Sequence, residues 1–126
     1  MNSSFVQKIR SEIPEEVKFY GIEPQNSARA AMFELRTKDG RRKAFSYSHI
    51  TEAEYDPEGS IIIQVLDVTV TIKGRSLEDV FGYLVANRIK YIQEDFSGMD
   101  SEESKLFIES IDIAPKVFSA ANDNSS

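Results

Sequence analysis

The sequence predicts an α+β domain: an antiparallel β-meander of about five strands, packed by one amphipathic helix, with a returning C-terminal strand. Three observations carry that expectation. Apolar residues recur at every second position over 31–36, 44–47, 61–65 and 68–72, the period of half-buried strands. Two short loops close on glycine, Lys38-Asp39-Gly40 and Pro57-Glu58-Gly59, as tight hairpins do. A strand followed by a helical stripe then fills VTVTIKGRSLEDVFGYLVANRIKYIQE, Val68 to Glu94.

Taken in order, Ser4 can cap a short helix over Phe5 to Glu12, with Phe5, Ile9 and Ile13 on one side and Pro14 ending it. Residues 1–16 therefore form a segment apart from a single domain spanning 17–115. Val17 to Ile22 reads as a short strand bounded by Gly21 and Pro24. Ala31, Phe33 and Leu35 form one face of the next strand, and Phe45 and Tyr47 one face of the strand after it. A three-residue loop closing at Gly40 pairs Phe33 with Phe45 and Leu35 with Lys43, which gathers the apolar residues on one side. That arrangement needs a type I turn with Gly40 in the left-handed region.

The second glycine loop pairs Tyr55 with Ile61 and Ala53 with Ile63 by the same logic. Between Tyr47 and Ala53 the chain either runs as one bent strand or breaks at Ser48-His49. A reversal at Leu66-Asp67 pairs Val65 with Val68 and Ile63 with Val70. Leu-Asp is poor chemistry for a two-residue turn, so a four-residue loop of the same parity is the alternative. After a Gly74-Arg75 turn, Ser76 is placed to cap the helix, with Glu78 and Asp79 in its first turn. Leu77, Val80, Phe81, Leu84, Val85, Tyr91 and Ile92 share a stripe, which carries the helix to about Glu94. Arg88 then falls in the middle of that apolar stripe. Lys105 to Ile113 reads as the returning strand, with a helix as its rival, and Pro115 closes it. Residues 116–126 form a polar tail, expected to be disordered.

Composition narrows the chemistry. The chain has 126 residues, enough for one domain with a core and too few for two ordinary ones. It contains no cysteine, which removes disulfides and thiolate chemistry, and a single histidine, His49, which removes a His-pair metal site. No apolar run approaches the roughly 20 residues of a membrane span. MNSSFVQKIR lacks the features of a signal peptide, so a cytoplasmic location is expected. The net charge of −6 disfavours nucleic acid and anionic membranes as partners.

Several side chains invite a functional reading. Arg75 precedes a helix N-terminus and Arg88 sits in an apolar stripe, so either can contact an anion or a partner; the plainer readings are a simple strand-to-helix turn at Gly74-Arg75, and an Arg88 that snorkels or binds a sheet carboxylate or free backbone carbonyls. Lys38, Arg41, Arg42 and Lys43 cluster at a hairpin tip, where a solvated turn is the plainer reading and a phosphate or partner contact the functional one. His49 with Glu52 resembles a base and its orienter, but no nucleophile stands at a recognisable spacing. The 21 carboxylates fall in caps and turns, and no pair is singled out for acid–base work. No catalytic set, metal or cofactor is expected.

Over FELRTKDGRRKAFSYSHITEAEYDPEGSIII and VTVTIKGRSLEDVFGYLVANRIKYIQE, roughly Phe33 to Glu94, the chain resembles a family of small uncharacterised bacterial α+β proteins. The shared pattern is strand, glycine-arginine, helix, with an R[IV]xxI-like ending. The resemblance implies a fold and assigns no functional residue. The expected function is a non-enzymatic module that binds a partner protein or its own copy, for instance as a dimer. The alternative is a small-molecule or anion-binding domain using Arg75 or Arg88.

Overall fold

The computed structural model describes residues 19–24, 28–97 and 105–116. The helix expected over Phe5 to Glu12 and the polar tail from 117 onward lie outside them. Among these residues, eight strands and one α-helix follow in order: β1 Tyr20–Ile22, β2 Met32–Arg36, β3 Arg42–Ser46, β4 Ile50–Asp56, β5 Ser60–Val65, β6 Val68–Arg75, α1 Glu78–Val85, β7 Ile89–Gln93 and β8 Phe107–Pro115. The fold is α+β, but the strands form two sheets, ordered β1-β7-β2-β3 and β4-β5-β6-β8. The single meander of about five strands is corrected accordingly. The meander is confined to β4-β5-β6, and β8 is its returning strand.

The hairpin parities hold. Phe33 pairs with Phe45 and Leu35 with Lys43, and Tyr55 pairs with Ile61 and Ala53 with Ile63. Gly40 and Gly59 both take positive φ, 92° and 123°, and each closes its turn by donating to a carbonyl three residues back, Thr37 and Asp56 respectively. The Leu66-Asp67 turn is the two-residue one, with Val65 paired to Val68. Leu66 holds φ 54° to make it, an uncommon conformation for such a side chain. The chain does break after β3, in a 3-10 turn over Tyr47–His49.

The helix is shorter than its stripe. It ends at Val85, and Asn87 takes φ 61°. The Asn87 amide donates to Leu84 and the Arg88 amide to Tyr83, both bonds of a Schellman cap. Beyond the cap, Ile89–Gln93 is a strand inserted between β1 and β2, antiparallel to the first and parallel to the second. Ile89, Tyr91 and Ile92 are β-branched or aromatic and suit a strand, and a vacant place inside a sheet outweighs the local helical pattern. Val85, assigned to the buried stripe, is exposed. Ser76 does not cap the helix: it holds φ 58°, Leu77 takes the N-cap position, and no side chain bonds there. Gly74 and Arg75 are the last residues of β6 rather than a turn.

The strand reading of the C-terminal run is right, and its pairing with β6 is interrupted once. Lys73 pairs with Ser110 while Gly74 pairs with Ile108, so Glu109 is an extra residue on β8. That bulge reverses the parity and lets Ile108 and Ile111 both face the core.

Both sheets and the helix contribute to one core. Phe33, Leu35 and Ile92 from the first sheet cluster with Ile61, Ile63, Val70, Ile72 and Ile108 from the second, and with Leu77, Val80 and Leu84 around the helix. Each such side chain stabilises the fold by about 1.5–3 kcal/mol. Tyr47 lies at the edge of this cluster, its hydroxyl donating to the Ile89 carbonyl at 2.9 Å. Burial raises its phenol well above the ordinary tyrosine range, opposed only by that bond. The neutral form is therefore favoured by folding. Its contribution is complete below about pH 10, the value expected unfolded, and is lost as pH rises further. Tyr47→Phe should cost about 1 kcal/mol at neutral pH and flatten the alkaline limb of stability against pH. Urea unfolding at a series of pH values checks this, and an unchanged alkaline slope refutes it.

Candidate functional site: the outer strands β3 and β4

Each sheet has an outer strand joined to its neighbour by a glycine-closed hairpin. Among the described residues, no strand pairs with the outer side of β3 or of β4. The hairpin bonds decide which amides face outward. The Thr37 amide donates to the Arg41 carbonyl and the Tyr47 amide to the Ala31 carbonyl, so residues 41, 43, 45 and 47 bond inward to β2. Arg42, Ala44 and Ser46 then turn their backbone groups away from the sheet. On β4, residues 52, 54 and 56 bond β5 by the same parity, and the backbone groups of Ala53 and Tyr55 point outward.

The two edges differ in sign. β3 and its turn carry Lys38, Arg41, Arg42 and Lys43, all exposed. β4 and its turn carry Glu52, Glu54, Asp56 and Glu58, and no lysine or arginine lies between Lys43 and Lys73. Part of the basic set is internally engaged. Glu34 accepts from Arg36 at 2.7 Å and from Arg42 at 3.0 Å, and these bonds, Arg42's first, hold its carboxyl below the usual range. The Arg36 guanidinium lies 3.8 Å over the Tyr91 ring. Arg41 reaches Asp39 at 3.6 Å in full solvent. Lys38 and Lys43 have no ion pair among the described residues, and neither do Glu52, Glu54 and Glu58.

Beside the basic hairpin is a cavity of about 410 Å³ lined by Leu35, Lys38, Arg41, Lys43, Glu94 and Ile113, among others. The Glu94 side chain is buried. One carboxylate oxygen accepts the Lys38 amide at 2.7 Å and the other the Ile111 amide at 3.1 Å. The Glu94 amide donates to Arg36, and the Asp95 amide donates to Ile108. This segment thereby covers part of the outer edge of β8 and ties the two sheets together.

The two arginines singled out from the sequence are separated and engaged. Arg75 ends β6, donating to the Lys105 carbonyl at 3.3 Å and lying 5.1 Å from the Phe107 ring centre. Arg88 follows the helix cap instead of interrupting an apolar stripe. Its guanidinium donates to the Glu23 carbonyl at 2.6 Å, and its own carbonyl accepts the Glu23 amide. Arg88 also borders a shallow groove with Glu78, Asp79 and Tyr83, whose two carboxylates oppose an anion there. His49 is exposed at the end of the 3-10 turn and Glu52 is exposed on β4. No group of three or more metal-ligating side chains occurs among the described residues. No described helix is long and apolar enough to cross a membrane.

The basic hairpin was legible in the sequence. The acidic edge was missed, although the long cation-free stretch after Lys43 was its signal.

Fold and edges together define a small two-sheet α+β domain in which, among the described residues, the outer strands β3 and β4 bear opposite charge. No family model matches the chain, and neither a curated protein nor a solved structure matches it.

Proposed function

We propose that this chain is a non-enzymatic interaction module, and that it belongs with the small bacterial α+β proteins that Phe33 to Glu94 resembles. It docks another protein chain, a partner or its own copy, by adding a strand to an open edge. The observation that carries this reading is β3, whose outward amides at Arg42, Ala44 and Ser46 stand beside a basic turn on an acidic chain. An open strand edge supplies main-chain hydrogen bonds, and flanking charges select what pairs with it. The anion-binding alternative on Arg75 or Arg88 is the weaker reading, because both guanidiniums already hold backbone carbonyls.

Ala44→Pro tests the docking edge. The Ala44 amide makes no bond to β2, so proline removes an outward donor and leaves the ladder intact. The tagged wild-type chain, recovered gently from cells that naturally contain it, should run well above monomer mass. The folded proline variant should run as monomer. A variant that keeps its full complex mass, or a wild-type chain that is already monomeric, overturns the reading.

A further inference from the structure

We infer that the partner is a second copy of this chain, with the basic edge β3 of one copy pairing against the acidic edge β4 of the next. The inference rests on the interaction-module reading and names its partner. Three observations lead to it.

The first is charge. Lys38 and Lys43 on one edge, and Glu52, Glu54 and Glu58 on the other, have no opposite partner among the described residues. Each set matches what the other lacks.

The second is backbone supply. β3 offers outward amides and carbonyls at 42, 44 and 46, and β4 offers them at 53 and 55. Both edges thus present the alternate-residue pattern that a new ladder requires. Ala44 and Ala53 place small side chains at the centre of the two edges.

The third is discrimination. Two β3 edges brought together would set cations against cations, and two β4 edges carboxylates against carboxylates. Only the unlike pairing is attractive, so the segregated charges reject the two symmetric arrangements and favour the head-to-tail one. Charged edges commonly serve to prevent pairing altogether. Here the opposite signs sit on separate strands of one molecule, an arrangement that prevents like pairing and leaves unlike pairing open. A head-to-tail contact uses different surfaces on its two sides, so each copy retains a free edge of either sign. Association then builds a ring or an open row of copies.

Charge reversal tests this on the purified chain. Lys38→Glu/Arg41→Glu/Lys43→Glu makes both edges acidic, and Glu52→Lys/Glu54→Lys/Glu58→Lys makes both basic. All six side chains are exposed, so the variants should fold, which circular dichroism verifies. Light scattering across a dilution series at low salt should show wild-type mass rising with concentration and falling when salt is added. Each variant alone should associate at least about tenfold more weakly. An equimolar mixture of the two should regain the wild-type behaviour, because acidic β4 meets basic β3 and acidic β3 meets basic β4.

A wild-type mass insensitive to both reversals overturns the inference, as does a mixture that remains monomeric. Purified wild-type chain that is monomeric at every concentration also overturns it. If that same chain carries complex mass when recovered from cells, the interaction-module reading stands with a different partner. Monomer in both settings sinks both.

Discussion

Gly74→Ala is expected to destabilise the protein by about 3 kcal/mol or more, as overpacking against fixed backbone does. A β-carbon at Gly74 would overlap the Phe107 carbonyl oxygen and stand 3.0 Å from its carbon and 3.2 Å from the Ile108 α-carbon. These are backbone atoms, so no rotamer change relieves the overlap. The crowding comes from the β6–β8 bulge, where Gly74 faces Ile108 and Glu109 is extruded. Gly74 is held from its other side as well, its amide donating to the Gly59 carbonyl at 2.9 Å. A methyl group there forces β8 outward, and with it the Ile108 and Ile111 contacts to the core. Gly82→Ala is the matched control. It lies on the helix with nothing within 4 Å of the added carbon, and should gain about 0.5–1 kcal/mol from lower backbone entropy unfolded. Urea midpoints of the two variants should therefore move in opposite directions. A Gly74→Ala midpoint within experimental error of wild type would show that the bulge yields freely.

The second large effect is expected at Glu94. Glu94→Ala removes the acceptor of two amides, Lys38 on the hairpin turn and Ile111 on β8. Hydrogen bonds to a charged acceptor are among the stronger ones, and the Ile111 amide is buried. The expected loss is about 2–4 kcal/mol. Glu94→Gln keeps the shape but replaces one acceptor oxygen with a donor, so an amide meets an amide at one end. It should fall between Glu94→Ala and wild type. Amide hydrogen exchange gives the readout a general loss of stability does not: protection at Ile111 and Lys38 should fall further than at the buried strand amides of β5. Uniform change across the sheet would show that the carboxylate does not specifically hold these two amides.

How much of this was legible in the sequence depended on the range of the forces involved. The hairpins were, because turn parity and apolar alternation are local and point the same way. Phe33–Phe45 and Tyr55–Ile61 followed from loop length and burial alone. The helix overran because Tyr91 and Ile92 sit at helical spacing, and the pattern carries no sign that a sheet elsewhere lacks a central strand. Asn87 was the local clue, a residue that tolerates the left-handed region at a helix end. Its weight was small beside a continuous apolar stripe. Arg88 falls inside an apolar stripe only if the helix continues past Asn87, and the cap there removes that burial. A glycine before a helix usually marks a turn, which is what the sequence suggests at Gly74. Its actual constraint comes from β8, more than thirty residues later in the chain. Glu94 carried no signal at all, since its two partner amides are 56 and 17 residues distant. The charge contrast between β3 and β4 lay in plain view, but it acquires meaning only once both strands are known to be sheet edges.

The position of β7 between β1 and β2 also orders events in time. Its parallel pairing joins Glu34 to Tyr91 and Leu35 to Ile92, across more than fifty residues of intervening chain. The β2–β3 hairpin and the β4-β5-β6 meander consist of neighbours in sequence and can form as each leaves the ribosome, whereas β1 and β2 have no strand to join them until the helix has been made and passed. The first sheet is therefore completed only after synthesis has passed Gln93, and the second only when β8 has followed. The core faces of both sheets thus wait for strands that lie beyond the helix.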